Sequence, residues 1–304
     1  MEEKLVTLKE GLRGGVAPAL ATPLLADGYT VNGTAVPILI NFLLQRGAKG
    51  LFVGGTTGEG ILLDAEQRMK LHETAVTAAN GRAPIILHIG ANRTDTAVAL
   101  AQHAAQLGAD AIAAVTPIYY GMHDDALAGY YHAIAAAVPQ MPLLLYDIPH
   151  MAVNGISPAL LRRLSQELPS LAGIKSSQVS AQILRELLHA APPRLLFLAG
   201  NERIALGTLA MGADGLISGL STAIPEPFVA LTAAHARGDH AEALRQHRLI
   251  NQLLDCLPAG ARIGAIKQIL AERGVNVGGP VPPRPMPTAP IWPHMESLLE
   301  GFAQ

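Results

Sequence analysis

Hydrophobic positions along the chain fall into two alternating textures. Short, unbroken apolar runs rich in Ile, Val and Leu cover Val16–Thr22, Leu51–Gly55, Pro84–Gly90, Ala111–Pro117, Leu143–Pro149, Ala172–Ser177, Leu195–Gly200 and Gly215–Leu220. Runs without polar alternation are what strands buried on both faces require. Between them lie longer segments with helix punctuation. Leu63–Asn80 has Asp64 at an N-cap position and Gly81 past its end; Asp95–Leu107 closes at Gly108, Ser157 precedes Pro158, and Glu202–Met211 stops at Gly212.

Strict β–α alternation demands parallel strands and right-handed crossovers, and eight such units close into a barrel. The sequence therefore predicts an α/β fold, a (β/α)8 TIM barrel over residues 1–239. A doubly wound open sheet is the alternative; the count of eight, and the lack of a glycine-rich dinucleotide fingerprint after the first strand, favour the barrel. Residues 240–304 read as a C-terminal helical extension, with helices over Ala241–Leu257, Arg262–Arg273 and His294–Phe302. The stretch GPVPPRPMPTAPIWP, Gly279–Pro293, is stiff and extended. It reads as a strap crossing the barrel base in preference to an SH3-type ligand.

Composition narrows the function classes. The 304 residues carry 22 Lys+Arg against 24 Asp+Glu, a net charge of −2, so no basic stripe invites nucleic acid. Cys256 is the single cysteine, which excludes an intrachain disulfide and a cysteine-rich metal cluster. The charged start MEEKLVTLKEGLRGG lacks a signal-peptide core, and no apolar stretch is long enough to span a membrane. A cytoplasmic protein without membrane or nucleic-acid partners is the expectation.

In a barrel of this kind the chemistry sits at the carboxyl ends of the strands. Polar residues at those ends are Gly54-Gly55-Thr56-Thr57-Gly58-Glu59-Gly60, Thr116-Pro117-Ile118-Tyr119-Tyr120, Tyr146-Asp147, Lys175-Ser176-Ser177 and Ser218-Gly219. Lys175 interrupts an apolar strand. Burial disfavours its ammonium, and a neutral amine attacks carbonyls to form a Schiff base; the other reading is a lysine paired with Asp or Glu inside the barrel. Tyr146, one strand earlier, favours chemistry, because a phenol there can shuttle protons through Thr56 and Tyr119 or Tyr120. The glycine-rich loop lacks the Lys-Ser/Thr of a P-loop but offers hydroxyls and backbone amides to a small anion such as a carboxylate. His72-Glu73 begins a zincin-like pattern that Val76 breaks, His88 reads as a core histidine, and no GxSxG elbow occurs. No metal is expected.

Taken together, GGTTGEG, VTPIYYG, LYDIPH, GIKSS and GADGLIS, in this order, resemble the dihydrodipicolinate synthase / N-acetylneuraminate lyase family from about Gly14 to the proline-rich strap. The resemblance implies a class I, pyruvate-type aldolase. Lys175 would form the imine without a further cofactor, Tyr146 would be the catalytic phenol, and Gly55, Thr56 and Thr57 would hold the carboxylate of a 2-oxo acid. It also implies a homotetramer in which Tyr119 or Tyr120 crosses a subunit interface. The partners are then a small 2-oxo acid and an aldehyde.

Two departures bear on substrate. Synthases of the family generally carry an arginine five residues after the tyrosine; Met151 stands there and cannot make a bidentate carboxylate contact. Sialic-acid lyases typically show Gly-Tyr-Asp-Glu after strand seven, where this chain has Gly200-Asn201-Glu202-Arg203, and Gly219 replaces their serine. The expectation is a 2-keto-3-deoxy sugar acid aldolase, with Glu202, Arg203, His150 and Ser218 on the variable side of the pocket. Arg203 reads either as a contact to a distal carboxylate or as an ordinary surface residue at a helix start. The alternatives are a dehydratase using the same imine, an N-acetylneuraminate lyase, a dihydrodipicolinate synthase, or a non-catalytic 2-oxo-acid binding protein.

Overall fold

The computed structural model describes residues 2–303; Met1 and Gln304, the ends of the two segments expected from sequence, lie outside them. Eight strands form one parallel sheet: β1 (Val16–Pro18), β2 (Leu51–Val53), β3 (Ile85–His88), β4 (Ala111–Val115), β5 (Leu143–Asp147), β6 (Leu171–Ser176), β7 (Leu196–Ala199) and β8 (Gly215–Ser218). Each lies inside its expected apolar run except β6, which starts one residue before it, at Leu171. The ladder runs β1-β8-β7-β6-β5-β4-β3-β2. Backbone bonds from Leu20 N to Phe52 O (2.9 Å) and Lys49 N to Val16 O (3.0 Å) join β1 to β2, which makes it a (β/α)8 barrel.

The strands are shorter than the apolar runs because the chain leaves the ladder early to build site loops. β1 stops at Pro18, after which Ala19 makes an isolated bridge to Phe52; β2 gives way to Gly54, at φ 74°. Two of the expected helix starts form as read, while the helix expected over Asp95–Leu107 begins at Thr94 with no side-chain cap. Ala65–Ala79 is capped by Asp64, whose carboxylate accepts from Gln67 N at 2.8 Å, and Pro158–Glu167 by Ser157. The helix expected over Glu202–Met211 is instead a 3-10 turn, Glu202–Ile204, followed by Ala205–Ala210.

Side chains alternate across the strands, giving two cores. Inside the barrel lie Ala17, Phe52, Ile86, Ala113, Leu144, Tyr146, Leu198 and Ile217; outside, Leu51, Leu87, Ile112, Leu143, Leu145 and Ile174 pack under the helices. A helix over Glu2–Leu12, where sequence reading saw only the lack of a signal peptide, pushes Leu8 and Leu12 into the inner core. Its docking is close: a Cβ on Gly50 would meet Leu12 Cδ2 at 2.4 Å.

Helices His240–Asp255 and Arg262–Glu272 add Leu249, Ile250, Leu253, Ile266 and Ile269 to the outer core. The proline-rich stretch between Glu272 and the last helix (Trp292–Ala303) is extended, but it does not cross the barrel base. It lies over the opposite, carboxyl end of the strands: Leu24 N donates to Val277 O (3.0 Å) and Val281 N to the Glu59 carboxylate (2.9 Å). Leu24 and Glu59 belong to the loops after β1 and β2, so the strap roofs the mouth of the barrel. Buried Lys267 pins it by an ion pair to Glu59 (3.0 Å) and a hydrogen bond to Gly279 O (2.7 Å).

Candidate active site

Register brings the two central residues together. A register shift between β5 and β6 skips Ala172, so that Leu144 faces Gly173 and Tyr146 faces Lys175. Without the extra residue Tyr146 would stand opposite Ile174, and the lysine would turn toward the helices. Gly173 is required at the crossing, where a Cβ would lie 2.4 Å from Leu196 O.

Lys175 is 4% exposed. Its Nζ lies 4.1 Å from the centre of the Phe52 ring and 4.0 Å from that of Tyr146, and among the described residues no carboxylate pairs with it. Desolvation lowers its pKa to about 7, opposed by the more distant negative charge of Glu202. Near neutral pH a large share of this amine is therefore unprotonated and nucleophilic. The paired-lysine reading does not hold for Lys175.

Tyr146 is buried, and its hydroxyl shares a 2.9 Å hydrogen bond with Thr56 Oγ1. Burial pushes the phenol up to about 12, against the opposing hydrogen bonds of Thr56 and Ser177. Phe52 and His88 meet its ring edge-on, each at 5.8 Å between centroids, and fix its orientation. His88 is a core residue: Nδ1 bonds to Gly54 O at 3.0 Å and Nε2 to Val115 N at 3.3 Å, with burial holding the ring neutral. Asp147, the residue after Tyr146, lines neither cavity and accepts from Ile156 N (3.0 Å) and Ser176 Oγ (2.8 Å), fixing the turn after β5.

The loop Gly54–Gly60 is folded tightly on itself. A Cβ at Gly60 would sit 1.9 Å from Gly54 O, and one at Gly58 2.8 Å from Leu20 O. That compaction presents Thr56 and Thr57 to the cavity, while Gly55 packs behind them on the Phe52 ring. Neither the Thr56 nor the Thr57 amide donates to a backbone acceptor, so both can serve an anion.

Around this floor opens a cavity of about 630 Å³, lined among others by Thr56, Thr57, Tyr146, His150, Met151, Lys175, Asn201, Glu202, Arg203, Gly219, Arg262 and Arg284. A smaller one of about 190 Å³ shares Thr56, Tyr146, Ile148, Met151 and Arg284 with it. Glu202 is fixed from three sides: its Oε1 accepts from Ser218 Oγ and Leu220 N, both at 2.7 Å, and its Oε2 pairs with Arg262. Ser218 thus supports Glu202 and does not itself line the cavity. Arg203, at the rim, is tied to Asp255 at 2.6 Å. A side chain at Gly219 would press on Thr57 Oγ1, 2.7 Å from a built Cβ.

Tyr119 and Tyr120 are the sequence candidates that the fold does not bring in. They are 77% and 71% exposed, stacked edge-to-face at 5.0 Å, and line neither cavity. His72 is a buried core residue whose pKa burial lowers to about 3. Among the described residues no group of three His, Cys, Asp or Glu is placed to hold a metal, and no helix is long and apolar enough to cross a membrane. Sequence reading missed Arg284, Arg262 and Phe52, and placed Ser177 at a strand end without giving it a role. The arginine inside an otherwise uncharged proline tract was the one available signal for Arg284.

A strand-borne, desolvated lysine beside a phenol and a loop with free amides, at the carboxyl end of a barrel, is the set of groups that Schiff-base chemistry on a 2-oxo acid requires. The dihydrodipicolinate synthetase family profile matches residues 12–294, and the chain belongs to that family. Family aldolases use a lysine Schiff base with pyruvate and need no external cofactor, and this chain is a pyruvate-dependent lyase of that kind.

Its relatives carry different names. A 4-hydroxy-tetrahydrodipicolinate synthase of Salinibacter ruber is 36% identical over 77% of this chain and 76% of its own. A probable 2-dehydro-3-deoxy-D-pentonate aldolase of Escherichia coli is 34% identical over 79% and 80%. The solved sialic acid aldolase of Ruminococcus gnavus superposes with a TM-score of 0.89 at 28% identity, over 96% of this chain and 97% of that one. The chain is thus similar to proteins of three different names.

Proposed function

We propose that this chain is an aldolase of 2-keto-3-deoxy sugar acids, releasing pyruvate and an aldehyde. The observation that carries the reading is the unpaired, desolvated Lys175 amine against the Tyr146–Thr56 hydrogen bond. Thr56 and Thr57, with their free amides, hold the substrate carboxylate and aim C2 at Nζ. Lys175 adds to C2, and water leaves as the imine forms, its departure assisted by a proton from Tyr146. The Tyr146–Thr56 pair then takes the proton of the C4 hydroxyl. The C3–C4 bond breaks, its electron pair passing into the iminium to give an enamine, and the aldehyde departs. Protonation at C3 and hydrolysis release pyruvate and free the lysine.

With a pKa near 12 the phenol stays protonated, so it acts as a relay through Thr56 and not as a standing base. Glu202, Asn201 and His150 offer hydrogen bonds to sugar hydroxyls. Exposed Met151 offers nothing to a carboxylate, which counts against dihydrodipicolinate synthesis. Tyr119 and Tyr120, exposed here, fit a role at a subunit interface of a homotetramer.

The test is intact mass spectrometry after borohydride treatment with pyruvate, followed by a lactate dehydrogenase-coupled assay on 2-keto-3-deoxy sugar acids. A reduced pyruvyl adduct on the wild type, absent from Lys175→Ala, and release of pyruvate are expected. No adduct under conditions that label a known aldolase sinks the reading.

A further inference from the structure

The proline-rich strap places one more charged group in the cavity. Arg284 lines both the main and the smaller cavity, and sits on a segment held by Lys267 to Gly279 O and by Val281 N to Glu59. The other two arginines of the main cavity are engaged, Arg262 with Glu202 and Arg203 with Asp255. Arg284 is different. Its nearest carboxylate is Glu59, with Nε 3.8 Å from Oε1, beyond hydrogen-bond reach. That carboxylate is fully buried and already neutralised by Lys267 at 3.0 Å. Arg284 therefore shares its one carboxylate with Lys267, and among the described residues its side-chain donors make no hydrogen bond; it is carried on a stiff support that lowers the cost of ordering it.

We infer that Arg284 recognises an anionic terminus on the aldehyde half of the substrate. The enzyme's substrate class is then a 2-oxo-3-deoxy acid with a second anion at its far end, a carboxylate or a phosphate ester. This inference rests on the imine reading of Lys175 and extends it to the opposite wall. One carboxylate of such a substrate is held by Thr56 and Thr57; the distal one needs a cation, and Met151 supplies none. A planar guanidinium engages either oxyanion through paired N–H donors, a geometry that lysine does not reproduce.

The experiment compares three six-carbon substrates: 3-deoxy-2-oxohexonate, its 6-phosphate, and 3-deoxy-2-oxohexarate. Wild type, Arg284→Gln and Arg284→Lys are assayed for kcat and KM, with borohydride trapping of pyruvate run alongside. Wild type is expected to prefer at least one doubly anionic substrate by about tenfold or more in kcat/KM, as a charge-assisted pair would give. Arg284→Gln raises KM for that substrate by about 10–100-fold, leaves the singly charged one within about twofold, and keeps the pyruvyl adduct; Arg284→Lys recovers part of the loss. Which anionic substrate wins separates carboxylate from phosphate. A wild type without preference for either overturns the inference whatever the variants do, as does an Arg284→Gln that weakens all three substrates alike. Absence of the adduct from the wild type overturns the imine reading instead.

Discussion

The fold buries two lysines and treats them in opposite ways. Lys267, 1% exposed, meets Glu59 at 3.0 Å and donates to Gly279 O at 2.7 Å. Lys175, 4% exposed, lies against the Phe52 and Tyr146 rings and among the described residues has no carboxylate partner. Both pKa values are lowered by desolvation; at Lys267 the adjacent, hydrogen-bonded Glu59 pulls back, at Lys175 the more distant charge of Glu202. A compensated lysine is a bolt and an uncompensated one is a reagent. The comparison teaches that burial alone does not mark a catalytic amine; the missing partner does.

One substitution made at both sites tests this directly. Lys175→Met lowers kcat by roughly 10⁴-fold or more, as loss of a covalent nucleophile does, yet leaves the melting temperature unchanged or raises it. Lys267→Met removes the closer of the two cations beside buried Glu59, leaving Arg284 at 3.8 Å, and destabilises the protein by about 3–5 kcal/mol, while molecules that remain folded still form the pyruvyl adduct. Calorimetry with borohydride trapping reads both arms; equal loss of stability at the two sites would break the contrast.

Tyr146→Phe is the next largest effect. It removes the hydroxyl that bonds Thr56 and is expected to cost about 10²–10⁴-fold in kcat, with little change in KM, in a steady-state assay. A wild-type kcat would remove the phenol from the mechanism.

The smallest effect is in pH. The folded-state pKa of Lys175, about 7, lies below the ordinary 10.5, so between those values the unfolded chain binds the extra proton and stability rises with pH. Any melting-temperature advantage of Lys175→Met should therefore be greatest near pH 7 and shrink toward pH 10. Over the same range the imine-forming rate of the wild type climbs through an inflection near 7. Glu202 holds that inflection up, so Glu202→Gln moves it downward; an unmoved inflection would mean that the charge of Glu202 is not felt at Nζ.

The floor of the site was legible in the sequence because it is carried on strands. Where an apolar run marks a strand, a polar residue near its end has a position, and register does the rest for Lys175 and Tyr146. The shift that skips Ala172 was not legible, since nothing in Leu-Ala-Gly-Ile announces which residue is skipped. The mouth was harder still. Glu59, Lys267 and Arg284 are far apart in the chain, and only the path of the strap, which sequence reading sent to the base, joins them. The helix over Glu2–Leu12 was hidden by its charged face, though Leu8 and Leu12 stand one turn apart, as a buried stripe requires.

That helix and the strand after it also impose an order of events on synthesis. β1 pairs with β8, Gly14 N donates to Asp214 O at 2.7 Å, and Arg13 meets the Asp214 carboxylate at 2.8 Å. At ordinary translation speeds the ribosome needs roughly 10–40 s to deliver β8 after β1. Throughout that interval β1 has no β8 to pair with, and Leu8 and Leu12 have no completed barrel to plug. Until the eighth strand emerges, any sheet formed by the earlier strands keeps two unpaired edges.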